Sequence, residues 1–299
     1  MTLQQLKYVV TVAECGNITE AAKQLFVSQP TVTSAIHDLE KEMQIVIFVR
    51  TNKGVILSED GERFLGHARQ VLEQVDLIEG IYKNDVVSKP HFAVSCQHYS
   101  FAVNAFVDVI RRFDAYQYDF TIREEQTHEI IEDVTNLKSE LGVIYLSSKN
   151  TEVLSKMLKR NELEFTELFT ATPHVFICDS HPLAKKKSIT MEDLQDYPYL
   201  TYEQGEYNSQ YFSEEFVSTL DSRKNIRVRD RATLFNLIIG LNGYTVCSGV
   251  ISAELNGRNI ISKPLDVKEY MRIGIITRKG VVLSRYAREY IEALKAHCM

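Results

Sequence analysis

Apolar residues open the chain at the spacing of one helix face, Leu3, Leu6, Val9, Val10 and Ala13, with Thr2 placed to cap the first turn. Gly16-Asn17 ends that stretch. A second short helix starts near Thr19, its inward face made of Ala21, Ala22 and Leu25, small enough for close packing. Ser28 is suited to cap a third helix, with Pro30 in the first turn where its missing N–H costs nothing. At about 100° per residue, Val32, Ala35, Ile36 and Leu39 share one arc that must face a core. The opposite arc holds Pro30, Thr33, Ser34, His37 and Lys41. Two β-rich runs then flank Asn52-Lys53-Gly54, the pattern of a hairpin.

Ser58-Glu59-Asp60-Gly61 starts a long helix with acidic residues at its positive end. Phe64, Ala68, Val71, Val75, Ile78 and Tyr82 follow at spacings of 4, 3, 4, 3 and 4, a heptad seam suited to a partner helix. The pattern frays near Val87-Ser88-Lys89-Pro90. From His91 it alternates strand and helix: strands at 92–95, 120–124 and 141–146, and helices from Tyr99 to Phe113 and His128 to Leu137. A second unit opens at His174–Cys178 and closes near Gly243–Cys247, and Met271–Ile276 with a final helix through Leu294 returns to the first. Such alternation predicts a parallel sheet with crossover helices, in two α/β lobes around a cleft. The expected division is a winged helix-turn-helix at 1–58, a linker and dimerisation helix at 59–89, and a two-lobed domain at 90–299. Lobe I then covers about 90–165 and 266–299, and lobe II about 166–265.

Bulk properties narrow the class without naming it. At 299 residues, 44% hydrophobic and 25% charged, the chain is ordinary for a folded protein of two or three domains. No run approaches the ~18 apolar residues of a membrane span, and Met1–Lys7 lacks the order of a signal peptide, so the expectation is a cytoplasmic protein away from the membrane. The cysteines at 15, 96, 178, 247 and 298 form no Cys-x-x-Cys pair, so neither a disulfide framework nor a zinc site is indicated. Cys96 alone invites a redox reading, because it precedes a helix start. Net charge is −6, and residues 1–58 carry five basic and five acidic side chains, so bulk charge does not advertise nucleic-acid binding. The case rests on where the charges sit.

Two helices joined by so tight a turn suit entry into the major groove of double-stranded operator DNA. Short hydroxyls near the third helix's start can approach base edges, Lys41 can reach phosphate, and Arg50 and Lys53 put positive charge on the wing. In the two-lobed domain, strand ends nominate a pocket for an anion or amino-acid carboxylate: Ser100, Thr127, Thr201, Tyr202, Ser248 and Gly249. His98 and His128 lie close to these loops and read as capping or packing residues. Glu124-Glu125 and Glu214-Glu215 read as solvated surface. No phosphate loop, nucleophile elbow, metal cluster or catalytic carboxylate pair stands out, which argues against an enzyme and leaves no metal or cofactor indicated.

Leu6 with Val9, Ala21-Ala22, Leu25, Val27-Ser28-Gln29-Pro30, Leu39-Glu40, Phe48, Arg50, Leu57-Ser58 and Gly61 together resemble the winged helix-turn-helix of LysR-type bacterial transcriptional regulators. Asp179-Ser180-His181-Pro182-Leu183-Ala184, with Leu194 and Pro198, resembles a segment of that family's periplasmic-binding-protein-like effector domain. The resemblance implies DNA contact at Gln29, Pro30, Thr31, Thr33, Ser34 and Arg50. Together with Ser28, His37 and Lys53 these form the expected DNA-reading set. It also implies dimerisation through the linker helix, a homodimer or homotetramer, contact with RNA polymerase, and a small-molecule effector in the cleft. Two departures stand out: Ser34 replaces a commonly basic residue, and a proline common near Cys247-Ser248 is absent. Leu3-Gln4-Gln5-Leu6 and Tyr199-Leu200-Thr201-Tyr202 with Gly205 resemble the branch controlling cysteine and sulfur assimilation, which suggests a sulfur metabolite or amino-acid derivative as effector. The alternative is a solute-binding protein that uses the two lobes without DNA.

Overall fold

The computed structural model describes residues 1–52, 54–82, 90–113, 117–205, 211–215, 223–251 and 257–297, in two compact units, the first made of Met1–Lys89 with Asn136–Lys138 and the second of Pro90–Thr135 with Ser139–Met299. In the first unit Thr2 caps α1 (Leu3–Cys15) through a reciprocal box: its hydroxyl accepts from the Gln5 N–H at 3.2 Å, and Gln5 Oε1 accepts from the Thr2 N–H at 2.8 Å. Asn17 caps α2 (Ile18–Gln24), and Ser28 caps α3 (Gln29–Met43) by accepting from the Thr31 N–H at 3.3 Å. Val9, Val12, Ala21, Ala22, Val32, Ile36 and Leu39 close one core, so the arc expected to face inward on α3 does so. The wing pairs β1 (Phe48–Thr51) with β2 (Gly54–Leu57), Arg50 opposite Val55. Its base is tied to α3 by Glu40, whose carboxylate accepts from the Ile47 and Phe48 N–H groups at 2.7 and 3.1 Å.

The long helix α4 (Glu59–Tyr82) belongs to this unit, and its first turns seal the core through Phe64 and Leu65. That corrects the unbroken heptad seam. Phe64 packs on its own module and Ala68 is buried, whereas Val71 and Ile78 remain 41% and 58% exposed and Val75 half-buried. The Tyr82 side chain lies outside the described residues. Gly61 sets how closely α4 approaches the wing, since a Cβ there would fall 2.1 Å from the Ile47 carbonyl oxygen. Gly61→Ala is expected to destabilise the unit by about 1–3 kcal/mol, as backbone overpacking does. A thermal melt checks this, and an unchanged midpoint would show that α4 can shift freely.

The second unit carries a five-stranded sheet. β3 (His91–Cys96), β4 (Asp119–Glu124) and β5 (Leu141–Leu146) run parallel, while β12 (Met271–Arg278) is antiparallel to β5 and to β6 (Leu163–Ala171); the order is β4-β3-β5-β12-β6. α5 (Ser100–Phe113) and α9 (Arg285–His297) cover one face, and α6 (Thr127–Thr135) and α7 (Thr151–Arg160) the other. The remaining elements form the other lobe. β7 (His174–Cys178) lies between β10 (Thr245–Cys247) and β11 (Ile260–Pro264), antiparallel to both. β8 (Tyr199–Tyr202) pairs parallel with β9 (Asn225–Val228), and α8 (Arg231–Leu241) packs on this lobe's core.

Two expectations change here. The five-stranded sheet is mixed, not all-parallel, because the chain re-enters the first lobe by a return strand whose neighbours oppose it, and the three-stranded sheet of the other lobe is antiparallel throughout. The lobe boundary follows Ala171 instead of falling near 166, because β6 pairs along its length with β12.

Candidate functional site

On α3 the face opposite the core is open. Gln29, Pro30, Thr31, Ser34 and His37 are exposed and Thr33 half-buried, with Arg50 exposed on the wing; Lys53 lies outside the described residues. The Ser28 and Thr31 hydroxyls lie 2.7 Å apart, and Gln29 Oε1 accepts from Thr19 Oγ1 at 3.2 Å. The helix start is thus organised before any partner arrives. Sequence reasoning passed over Phe26, which sits in the turn with φ of +55° and 95% exposure.

The cleft of the second unit is built where β3 ends and α5 begins. Its walls include His98, Ser100, Tyr202, Arg231, Thr245 and Ser248. Two acidic side chains occupy it, Glu214 and Glu215, only 6% and 2% exposed. Glu214 accepts from the His98 main-chain N–H at 2.9 Å, and its carboxylate lies 2.8 Å from His98 Nδ1. Glu215 accepts from the Tyr202 N–H at 2.6 Å and from Ser213 Oγ at 3.0 Å. His98 stacks on Tyr202 at 3.8 Å and 6°, and its Nε2 faces the Arg229 carbonyl at 3.1 Å. Both ring nitrogens face acceptors, which only the doubly protonated imidazolium satisfies.

The electrostatics agree with that geometry. Burial, the largest single influence, lowers the His98 pKa, but Glu214 together with Glu124 and the Arg229 carbonyl outweighs it and the net shift is upward. Glu215 is pushed up to about 8, by burial first and by Glu214 second, so it is largely protonated at neutral pH. Glu124 on β4 reaches Arg231 at the start of α8 at 3.0 Å, a second ion pair across the cleft. Beside the cleft lies an open bay of about 420 Å³ lined by Glu124, Glu125, Glu129, Glu203, His98 and Arg229.

Of the nominated pocket residues, Ser100, Tyr202 and Ser248 line the cleft. Thr127 is fully buried nearby, its hydroxyl accepting from Gln97 and donating to the Phe212 carbonyl, each at 2.7 Å. Thr201 and Gly249 are not in the lining; Gly249 packs so closely on His174 that a Cβ would fall 2.6 Å from its ring. His128 is buried on α6 and lines only the neighbouring bay. Glu214-Glu215 are not solvated surface, and His98, which does pack on Tyr202, also pairs with Glu214. No local periodicity marks them, because His98 and Glu214 meet across 116 residues. Cys96 is fully buried, and burial first, with Glu124 second, raises its thiol pKa well above the usual range, which opposes a reactive thiolate.

Comparison with known proteins decides the family. Residues 3–62 match the bacterial regulatory helix-turn-helix of the lysR family, and residues 96–299 match the LysR substrate binding domain. The chain belongs to the LysR family of transcriptional regulators. It is 22% identical to the DNA-binding transcriptional dual regulator OxyR of Escherichia coli over 99% of this chain and 95% of that one. It is 29% identical to the transcriptional regulator CysB of Burkholderia cenocepacia over 68% of this chain and 63% of that one. A cysteine-to-aspartate variant of full-length OxyR from Pseudomonas aeruginosa shares the fold, with a TM-score of 0.65, 22% identity, and coverage of 99% and 98%. This LysR-type protein is therefore a DNA-binding transcriptional regulator with an effector-binding domain, in a family of regulators and not of enzymes. The reading as a solute-binding protein without DNA contact is not favoured, since the DNA-binding module is present. Among the described residues no helix is long and apolar enough to cross a membrane.

Proposed function

We propose that this regulator binds operator DNA through Gln29, Pro30, Thr31, Thr33, Ser34, His37 and Arg50, and is switched in the cytoplasm by an amino-acid derivative in its cleft. The observation that carries the effector reading is the convergence of main-chain donors, His98 from one lobe and Tyr202 from the other, on carboxylates. An α-amino acid would place its carboxylate on those donors and its ammonium toward the acidic bay of Glu124, Glu125, Glu129 and Glu203. Tyr199-Leu200-Thr201-Tyr202 with Gly205, which resembles the cysteine and sulfur branch, favours a sulfur-containing member of that class. Val71, Val75 and Ile78 would join two copies as a homodimer, the unit from which a homotetramer and contact with RNA polymerase could be built.

Duplex-shift titration of the full chain against in vitro selected DNA, with and without a panel of amino acids and sulfur metabolites, tests this. Effector-dependent affinity is expected; no affinity for any duplex at low salt would overturn it. Arg50→Ala is expected to weaken binding evenly across sequences and to reduce the salt slope by about one counterion. Gln29→Ala should instead cost about 1–3 kcal/mol on the preferred site and relax its specificity. Equal loss on random DNA for Gln29→Ala would place that side chain on phosphate.

A further inference from the structure

The donors that would hold an effector carboxylate already hold one. Glu214 accepts from the His98 N–H at 2.9 Å and from Gln204 Nε2 at 3.2 Å, and pairs with the His98 imidazolium at 2.8 Å. Its side chain is 4% exposed. This is a seated segment, not a surface side chain folded inward. Thr127 Oγ1 donates to the Phe212 carbonyl at 2.7 Å and Tyr145 OH to the Ser213 carbonyl at 3.0 Å, both from the first lobe. The neighbouring Glu215 is fastened to β8 of the other lobe through the Tyr202 N–H. The space left open among these groups is about 30 Å³, room for roughly two waters. The His98 N–H is occupied, so an effector carboxylate reaches it only by taking the place of Glu214.

We propose that Glu214 is an internal ligand of the effector cleft, its carboxylate bridging the lobes until an incoming effector carboxylate displaces it. This rests on the cleft being the effector site. An internal ligand lowers the apparent affinity of a free one by the free energy of its own contacts, so the regulator answers only to an effector that outcompetes Glu214. Removing the side chain should open a carboxylate-shaped vacancy on intact donors. In Glu214→Ala the atoms removed are a methylene, a carboxylate and the link between them, which acetate supplies.

The test is a thermal melt of the full chain in 50 mM sodium acetate against equal sodium chloride. Glu214→Ala is expected to gain about 2–4 °C from acetate, while the wild type and the shape-conserving Glu214→Gln gain nothing. An acetate shift as large in the wild type, or none in a folded Glu214→Ala, overturns the proposal. Should that variant not fold, the nitrogen NMR shifts of His98 decide in the soluble proteins. The His98 ring is expected to stay doubly protonated to higher pH in the wild type than in Glu214→Gln; identical titration of His98 in the two proteins sinks the idea. A metabolite that alters wild-type DNA affinity, with no acetate binding by folded Glu214→Ala, removes the internal ligand and leaves the effector reading standing. Acetate binding by the variant with no DNA-active metabolite does the reverse.

Discussion

His98→Ala should destabilise the effector-binding unit by about 3–5 kcal/mol, the usual cost of stripping one partner from a buried ion pair. The imidazolium faces the Glu214 carboxylate at 2.8 Å with both side chains 4% exposed, so removing it strands a negative charge in the cleft. His98→Ala with Glu214→Gln should recover much of the loss, because the stranded charge goes as well. The same pair predicts the pH response. His98 has a folded-state pKa above its ordinary value, so its contribution is complete below about 6.5 and is lost as pH rises through the folded value. Glu215 acts in the same direction: held protonated up to about 8 in the folded state, it binds more protons there than in the unfolded chain, and stability falls across that window. Glu214, Glu124, Arg231 and Asp230 face this cluster, with Glu125, Glu203 and Arg229 in the adjoining bay, and Glu124 and Arg231 pair at 3.0 Å. Thermal melts from pH 6 to 8.5 should therefore show the cleft unit weakening with pH in the wild type and a flatter profile in His98→Ala. A wild type that grows more stable over that range would contradict the assignment.

Charging the open part of the linker helix should have the largest effect on DNA binding. Val71 and Ile78 are exposed apolar residues one heptad apart on α4, in a helix whose earlier apolar positions are already used by its own module. A glutamate at both sites would set like charges against each other across a two-fold interface. Val71→Glu with Ile78→Glu is expected to halve the mass seen by sedimentation. It should also weaken binding to a two-half-site duplex by about 10²–10⁴-fold, the size of a lost second attachment. Affinity for a single half-site should hold. If the double variant keeps its assembly, the interface lies elsewhere and Val71 and Ile78 are solvated.

How far the sequence could be read depended on the range of the interaction. The capping of α3 by Ser28, the burial of Val32, Ile36 and Leu39, the wing turn and the start of α4 at Ser58-Glu59 depend on neighbours within a few residues. Periodicity and cap chemistry exposed them. The linker seam was half legible. Its heptad spacing is genuine, but spacing alone cannot tell a partner helix from the module's own core, and Phe64 turned out to serve the latter. β6 was missed as part of the first lobe's sheet because its alternating pattern shows that it is a strand, not which strand it pairs with.

The cleft marks the limit most clearly. Strand ends pointed to Ser100, Tyr202 and Ser248, which do line it, because in α/β lobes the chain's local order determines where helix starts and strand ends collect. Nothing local distinguishes Glu214-Glu215 from the acidic pairs that coat protein surfaces. Their seating comes from contacts spanning 116 residues for His98 and Glu214 and 13 for Glu215 and Tyr202, and the upward shift of Glu215 follows from that burial and from the neighbouring Glu214 charge, against the Tyr202 N–H, which lowers it. The sequence by itself thus determined that this protein carries a DNA-reading helix and a two-lobed receptor, since both are written in short-range periodicity and motif spacing. Only the tertiary structure decided that the receptor's cleft is already filled by the protein's own carboxylates, because the fate of a charge depends on which distant donors the fold brings to it.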